Sequence, residues 1–566
     1  MIFVDPSGDD SGPGTFERPF ATLERARDAA APGTIVHLRA GTYRLADTFR
    51  MSPQHSGVVY QAYGYGTADQ EEVVISGGRP VDGWHADTGG TWQAPTPGAA
   101  PRQLYASGRR VERAAVNVES HGLVRTADGY TAEGAAPQSW SGDVELVYRG
   151  AYPWTEARCP VADTSANGDS TAIAMAQPAF DRAVRAYHAV MPGNGPDSGE
   201  FYGADAPTSA ENSPAFLTDC TFATAGGTLH YRPRNGEEPA GVVAPVLETL
   251  LHARGVHDIA FRGITFAEAT WHRPSGPGGF LHYHGNAFHD GGELMTVALG
   301  EEPHQGQVTV PAEAESIPGN VLIEDSTRVV IEGCRFTRLG GVALEFRGQG
   351  SDNAVRHSEI TDAAAGGLVI GAGARGHRVE DNHIHGIGRD YRGSPAVVVS
   401  GAVDTVIARN RVNDVPHVGI TANAGRGTQV LDNLVHDTMQ VLADGGGIYI
   451  SGPQGDSYAS GALVRGNVVR DTVTPYNFGL YTDYGAAWVT VQGNAVYRAD
   501  APIVLNVWPP LEHVAFIGNV FDADPGEAPP GVTLADNTVL PKEAIEDAPQ
   551  VADILATCGP RPARQR

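Results

Sequence analysis

Two aspartates stand where this sequence could carry out acid–base chemistry. Asp444 opens the stretch Asp444-Gly-Gly-Gly-Ile-Tyr449, and Asp483 closes Gly479-Leu-Tyr-Thr-Asp483. When two carboxyls approach closely, one is pushed up and keeps its proton while the other ionises. Such a pair suits glycosidic bond cleavage: the protonated carboxyl donates to the leaving oxygen, and the ionised one acts as nucleophile or as base for water. Taken singly, each reads as an ordinary turn or strand-end residue. Their joint placement points to catalysis. The spacing leaves open which is the acid, and whether the configuration is retained or inverted.

The elements that would bring these residues together are read from a repeat. An aliphatic residue, two variable residues, usually Asn, any residue and an apolar residue recur at Val379–Ile384, Ile407–Val412, Val430–Val435, Val464–Val469, Val491–Val496 and Phe516–Phe521. The column runs Cys334, Ser358, Asn382, Asn410, Asn433, Asn467, Asn494, Asn519, with Ile264 as an earlier counterpart. A repeat of this length built from short strands and polar turns is a solenoid signal. Helical periodicity is absent from it. The fold predicted is all-β, a right-handed parallel β-helix of the pectate-lyase-like kind. The asparagines then stack in successive turns and serve structure rather than chemistry.

After each asparagine phrase comes a second strand. Aligned on their leading glycines, Gly341–Glu345, Gly367–Gly371, Gly419–Asn423, Gly447–Ser451, Gly479–Asp483 and, more loosely, Pro502–Asn506 place Glu345, Gly371, Asn423, Ser451, Asp483 and Asn506 in one column. Equivalent positions of parallel strands share a face. Asp444, three residues before Gly447, falls on the coil next to that of Asp483. Three glycines beside it are expected to leave room for a ligand near the backbone. Sugar rings need flat apolar platforms and hydrogen-bonding groups. The substrate-binding candidates are therefore Glu345, His417, Asn423, Tyr449, Asn477, Asn506 and Trp508, with Tyr484 and Trp488 nearby and Trp271 and His272 from a separate excursion. The bland alternative for each aromatic is core packing. His282 and His284 have metal-binding side chains but no third ligand in sequence. No metal or cofactor is expected.

Around this repeat the chain divides into four parts. Residues 1–97 read as an N-terminal cap and first coils, with helical spacing of Leu23, Ala26 and Ala30 and a strand at Thr34–Leu38. Residues 98–247 read as an inserted β-rich, sandwich-like domain between Pro- and Gly-rich stretches. Residues 248–541 form the main helix, interrupted at 267–320, and 542–566 a C-terminal tail.

Composition narrows the partners. A formal net charge of −26 repels phosphate backbones and anionic lipid, so neither nucleic acid nor membrane is expected as a partner. Cys159, Cys220, Cys334 and Cys558 have no zinc spacing and read as reduced thiols. The first residues lack a basic and apolar leader, which predicts a cytoplasmic protein, or a secreted one if a leader was removed. An oligosaccharide is the expected partner, bound by a monomer or homodimer.

Several motifs extend this reading: Asp9-Asp10-Ser-Gly-Pro-Gly-Thr15 with Arg18-Pro-Phe-Ala-Thr22, Leu104–Ala114, Phe261–Phe266 running into Ala269-Thr-Trp271, and the two aspartate stretches. In these the chain resembles the β-helical glycoside hydrolases related to families 120 and 141, which include β-xylosidase, xylanase and α-L-fucosidase activities. The resemblance implies that Asp444 and Asp483 match the paired catalytic aspartates of the family 141 type, and that a sandwich-like insertion follows the first coils. Many relatives have Asp-Glu-Gly where this chain has Asp483-Tyr484-Gly485. The function expected is exo-acting hydrolysis of plant cell-wall-type oligosaccharides. Two alternatives compete with it. A polysaccharide lyase on the same scaffold usually needs a basic residue and a calcium site; here Lys542 is the sole lysine, leaving arginines such as Arg465 and Arg498. A non-catalytic carbohydrate-binding β-helix would have no activity to lose when either aspartate is replaced.

Overall fold

The central coils of the first unit carry strands in three ladders, and each strand pairs in parallel with its counterpart one coil away. The computed structural model describes residues 1–187, 189–190, 207–299 and 306–562. The chain forms two compact units: Met1–Gly77, Thr249–Ala269 and Pro318–Arg566 make the first, Gly78–Glu248 and Thr270–Ile317 the second. The first is a right-handed parallel β-helix, the hand that parallel crossovers take.

Its first ladder runs from Phe49–Met51 through Leu251–Arg254, Gly319–Glu324, Val342–Arg347, Leu368–Ile370, Val397–Ser400, Ile420–Asn423, Gly446–Pro453 and Phe478–Gln492 to Ala501–Val504. The second begins at Ile2–Val4 and ends at Val532–Ala535, and the third runs from Gly41–Arg44 to Thr538–Val539. Alternation turns every second side chain inward. On the second ladder Val355, Val379, Ile407, Val430, Val464, Val491 and Phe516 stack in a buried column. Each such side chain stabilises the fold by roughly 1.5–3 kcal/mol relative to exposure. This is why a strand of three residues suffices.

The asparagine column forms the corner between the second and third ladders. Asn410 donates its backbone N–H and its Nδ2 to Oδ1 of Asn433, at 2.9 and 3.0 Å, and Nδ2 also donates to the Val379 carbonyl of the preceding coil at 2.9 Å. The pattern repeats from Asn382 to Asn519, and Asn537 extends it by one member that the repeat phrase did not reveal. Towards the N-terminus Ser358 and Cys334 continue it through their backbone N–H groups.

At the N-terminal end a helix at Leu23–Ala29 buries Leu23 and Ala26, while Ala30 is its C-cap. Asp10 accepts from the N–H groups of Ala21 and Thr22, and Thr22 caps the helix. At the other end the stretch from 542, predicted as a tail, folds back. A helix at Pro549–Leu555 brings Ile545, Ala548 and Val551 against Val468, Ala495, Tyr497 and Val520. All four cysteines are free.

The second unit is β-rich and its strands pair mostly antiparallel. One apolar cluster surrounds Tyr148, Cys159 and Phe180, and another Phe222, Leu229 and Val242. It begins at Gly78 rather than 98, because Gly78–Pro80 pairs with Val242–Pro245 and Trp92–Pro95 with Thr228–Arg232. The excursion predicted at 267–320 belongs to it as well, since Phe280–His284 pairs with Glu156–Asn167. Residues 188 and 191–206 of the insertion and 300–305 of the excursion lie outside the described residues. Among the described residues no helix is long and apolar enough to cross a membrane.

Candidate active site

Asp444 and Asp483 sit on neighbouring coils of the β-helix, each tied to a tyrosine of the other coil. The strands Gly446–Pro453 and Phe478–Gln492 pair so that Tyr449 faces Tyr481 and Ser451 faces Asp483. Alternation puts these four side chains on the outer surface, while Ile448, Ile450, Leu480 and Thr482 point inward. The Tyr449 hydroxyl donates to Asp483 Oδ2 at 2.8 Å. The Tyr481 hydroxyl donates to Asp444 Oδ1 at 3.1 Å. The two rings meet edge-on at 5.1 Å and pack with Phe478, Val418 and Met439. An apolar floor of this kind fixes both hydroxyls.

Asp444 is placed by the corner that precedes its strand. Its backbone is left-handed, with φ 55°, a conformation that Asp tolerates better than most residues. Its N–H donates to the Tyr476 carbonyl at 2.8 Å, and Tyr476 takes the same conformation one coil on. Below it, buried His417 donates Nε2–H to the Ala443 carbonyl at 3.1 Å, which props the turn one residue before Asp444. The glycines after Asp444 do not open space, as the sequence suggested. A Cβ at Gly445 would lie 2.9 Å from His417 Nε2, one at Gly446 2.8 Å from the Phe478 carbonyl oxygen, and one at Gly447 2.4 Å from Val469. They are glycines because the coils pack against them.

Both carboxyls are half-buried. Burial, reinforced by the negative charge of Asp483, pushes Asp444 up to about 7, and the Tyr481 hydrogen bond only partly offsets this. Burial also raises Asp483, which stays above the ordinary carboxylate value although hydrogen bonds from Tyr449, the Tyr484 N–H and Tyr481 offset part of the rise. The environment therefore separates the two. Asp444 favours its protonated form, and Asp483 is held by donors that stabilise its anion.

The other candidates divide into groups. Asn423 lies in the column of Asp483: Ser400 pairs with Asn423, Asn423 with Ser451, and Ser451 with Asp483. Its Oδ1 accepts from the hydroxyls of Ser451 at 2.8 Å and Thr421 at 3.1 Å. Asn506 is exposed and Trp508 half-buried; the Pro509 carbonyl accepts the Gly485 N–H at 2.9 Å, which holds their loop against the Asp483 strand two residues past Asp483. Asn477 is fully buried, accepting from the Thr472 hydroxyl and the Asp500 N–H, so it holds a turn and faces no ligand.

Glu345 is not in the aspartate column. Leu344 pairs with Leu368, which puts Ala343, not Gly341, opposite Gly367. Glu345 is thereby shifted by two residues, and the position above Gly371 belongs to Arg347. Glu345 is buried, paired with Arg347 at 2.8 Å and accepting the Gly319 N–H at 2.8 Å. Trp271 and His272 belong to the second unit. Trp271 is buried against Phe280 and Phe288, and the His272 N–H donates to Glu248. Trp488 stacks on His513 at 3.8 Å, with Tyr458 edge-on to it. His282 Nε2–H donates to the Gly285 carbonyl at 2.8 Å. Sequence reasoning missed Tyr481 as a site residue, although its place two residues before Asp483, on the same face, was the available signal.

Comparison with known proteins gives the same architecture. The family described as "Right handed beta helix region" matches residues 315–461. A solved structure of a "Glycoside hydrolase" superposes with a TM-score of 0.76 at 22% identity, covering 100% of this chain and 99% of that one. The structure of XylC in complex with xylose gives 0.51 at 14% identity, covering 96% and 84%. At these identities the likeness is one of fold. Two curated proteins match shorter stretches. The uncharacterized protein YwoF of Bacillus subtilis is 40% identical over 76 residues, 13% of this chain and 15% of YwoF. Pectate lyase PEL9 of Emericella nidulans is 32% identical over 85 residues, 14% of this chain and 20% of PEL9. The matched stretches thus span less than a quarter of either relative.

Proposed function

We propose that this β-helix is a glycoside hydrolase that cleaves plant cell-wall-type oligosaccharides, with Asp444 as general acid and Asp483 as the ionised partner. The observation that carries the proposal is the crossed pair: two half-buried carboxyls on adjacent coils, one pushed up to about 7 and one held by tyrosine hydrogen bonds. Such a divergence separates an acid from a nucleophile or base. Support also comes from the whole-chain likeness to a solved glycoside hydrolase and to XylC with xylose. Exo action on a chain end is part of the proposal, with Asn423, Trp508 and Asn506 the side chains on or beside the same strand face that could meet the sugar.

A screen of aryl fucosides, xylosides, arabinosides and galactosides tests it. Turnover of at least one is expected, falling by roughly 10³-fold or more in Asp444→Asn and in Asp483→Asn. Undiminished turnover in either variant would remove the pair from the mechanism. The stretch shared with pectate lyase PEL9 favours a second reading, elimination on a uronate. That reading requires an unsaturated product, detected by its absorbance and lost on chelation.

A further inference from the structure

We infer that Glu359, His383 and His385 form a binding site for a borderline divalent transition metal such as zinc, on the outer face of the third ladder. Glu359–Ile360 and His383–His385 are neighbouring strands in parallel register, with Glu359 opposite His383 and Ile360 opposite Ile384. Ile360 and Ile384 are buried in the core, so alternation sends Glu359, His383 and His385 outward together. One ligand atom from each lies within 4.8 Å of the other two. The His385 Nε2 to Glu359 Oε1 separation is 3.0 Å, close to the edge of about 3.3 Å between ligands bound 2.0–2.1 Å from a tetrahedral centre.

The surroundings hold these groups in place. The two imidazoles stack at 4.0 Å, which keeps both rings on one side of the carboxylate. His383 Nε2 contacts Asn413 Oδ1 on the next coil at 2.8 Å, and Arg335 holds Glu359 Oε2 at 3.0 Å, leaving Oε1 towards the histidines. Outer partners of this kind orient metal ligands. All three residues are half-buried, so an ion can reach them. Two imidazoles and one carboxylate suit zinc, nickel or copper better than calcium or magnesium. The site lies on the third ladder, whereas Asp483 lies on the first, so the ion would clamp two rungs and take no part in bond cleavage.

The test is calorimetric titration of chelator-treated full-length protein with zinc chloride, together with thermal unfolding with and without zinc. One saturable equivalent is expected, with a rise in Tm. Affinity should fall about tenfold or more in His385→Ala and in Glu359→Gln, which also lose the zinc-dependent rise. Asp444→Asn should bind zinc like the parent. Absence of saturable binding, or unchanged affinity in both site variants, would show that the cluster is an ion pair alone. Loss of binding in Asp444→Asn would move the ion to the carboxylate pair and equally overturn the assignment.

Discussion

Each tyrosine donates to the carboxyl of the neighbouring coil and so favours that carboxyl's anion. Tyr449 stabilises the Asp483 anion, so Tyr449→Phe should raise the Asp483 pKa and move the acidic limb of the pH–rate profile to higher pH. Tyr481 lowers Asp444, so Tyr481→Phe should move the alkaline limb, expected near 7, further up. Rate profiles of the two variants check both signs, read as properties of the coupled pair. Stability carries the same signature. Asp444 binds its proton more tightly when folded, so its contribution is fully present at low pH and declines as pH rises from the ordinary carboxylate range through about 7. Asp444→Asn should therefore gain stability over the parent on going from pH 5 to pH 8, by roughly 1–3 kcal/mol, as measured by denaturant unfolding at both values. The aspartates themselves were legible because the repeat fixes their coils. Glu345 was misplaced because a glycine at 341 imitates the strand start that Gly367, Gly419, Gly447 and Gly479 mark. The coil ending at Ser400 was skipped because its strand opens with Ala396 instead of glycine.

Among the elements, the asparagine corner and the glycine strand starts hold the stack. Removing the Asn433 side chain takes the acceptor away from the Asn410 N–H and from one Nδ2 hydrogen, and a donor away from the Ile407 carbonyl, in a buried corner. Asn433→Ala should cost roughly 2–4 kcal/mol. The half-buried terminal Asn537, at the end of the column, should cost clearly less on the same substitution. Urea unfolding followed by circular dichroism measures both. Gly447→Ala would press a methyl group against Val469 and should cost roughly 1–3 kcal/mol. The column was readable from sequence because one residue type recurs in one phrase. Asn537 escaped because its coil is short, only 18 residues after Asn519. The roles of Asn477 and Trp271 were hidden because burial, not residue type, separates a packing side chain from one that meets a ligand.

At the scale of the molecule, the second unit leaves the β-helix twice from the same corner, after the third-ladder strands Val73–Ser76 and Ile264–Ala267. The rungs on either side of the long excursion are bonded directly to each other: Phe49–Met51 to Leu251–Arg254, Val59–Ala62 to Ala260–Arg262 and Val73–Ser76 to Ile264–Ala267. A chain in which 78–248 and 270–317 are each replaced by a short glycine-serine linker should fold to a monodisperse, protease-resistant β-helix, assayed by limited proteolysis and circular dichroism. Loss of the cooperative transition would show that the rungs depend on the excursions. Sequence alone gave the helix but set the first boundary at 97, because the pairing of Gly78–Pro80 with residues more than 160 positions away leaves no local signature.

The spacing of the asparagine column has a consequence for how such a protein can change. Successive members are separated by as few as 18 and as many as 34 residues, yet the same amide bonds join them. Length is absorbed at the bends, while the straight segments keep their partners. Insertions at a bend can thus accumulate without renegotiating the core, and a lengthened bend beside the tyrosine-linked carboxyls would reshape their surroundings while leaving the pair itself untouched.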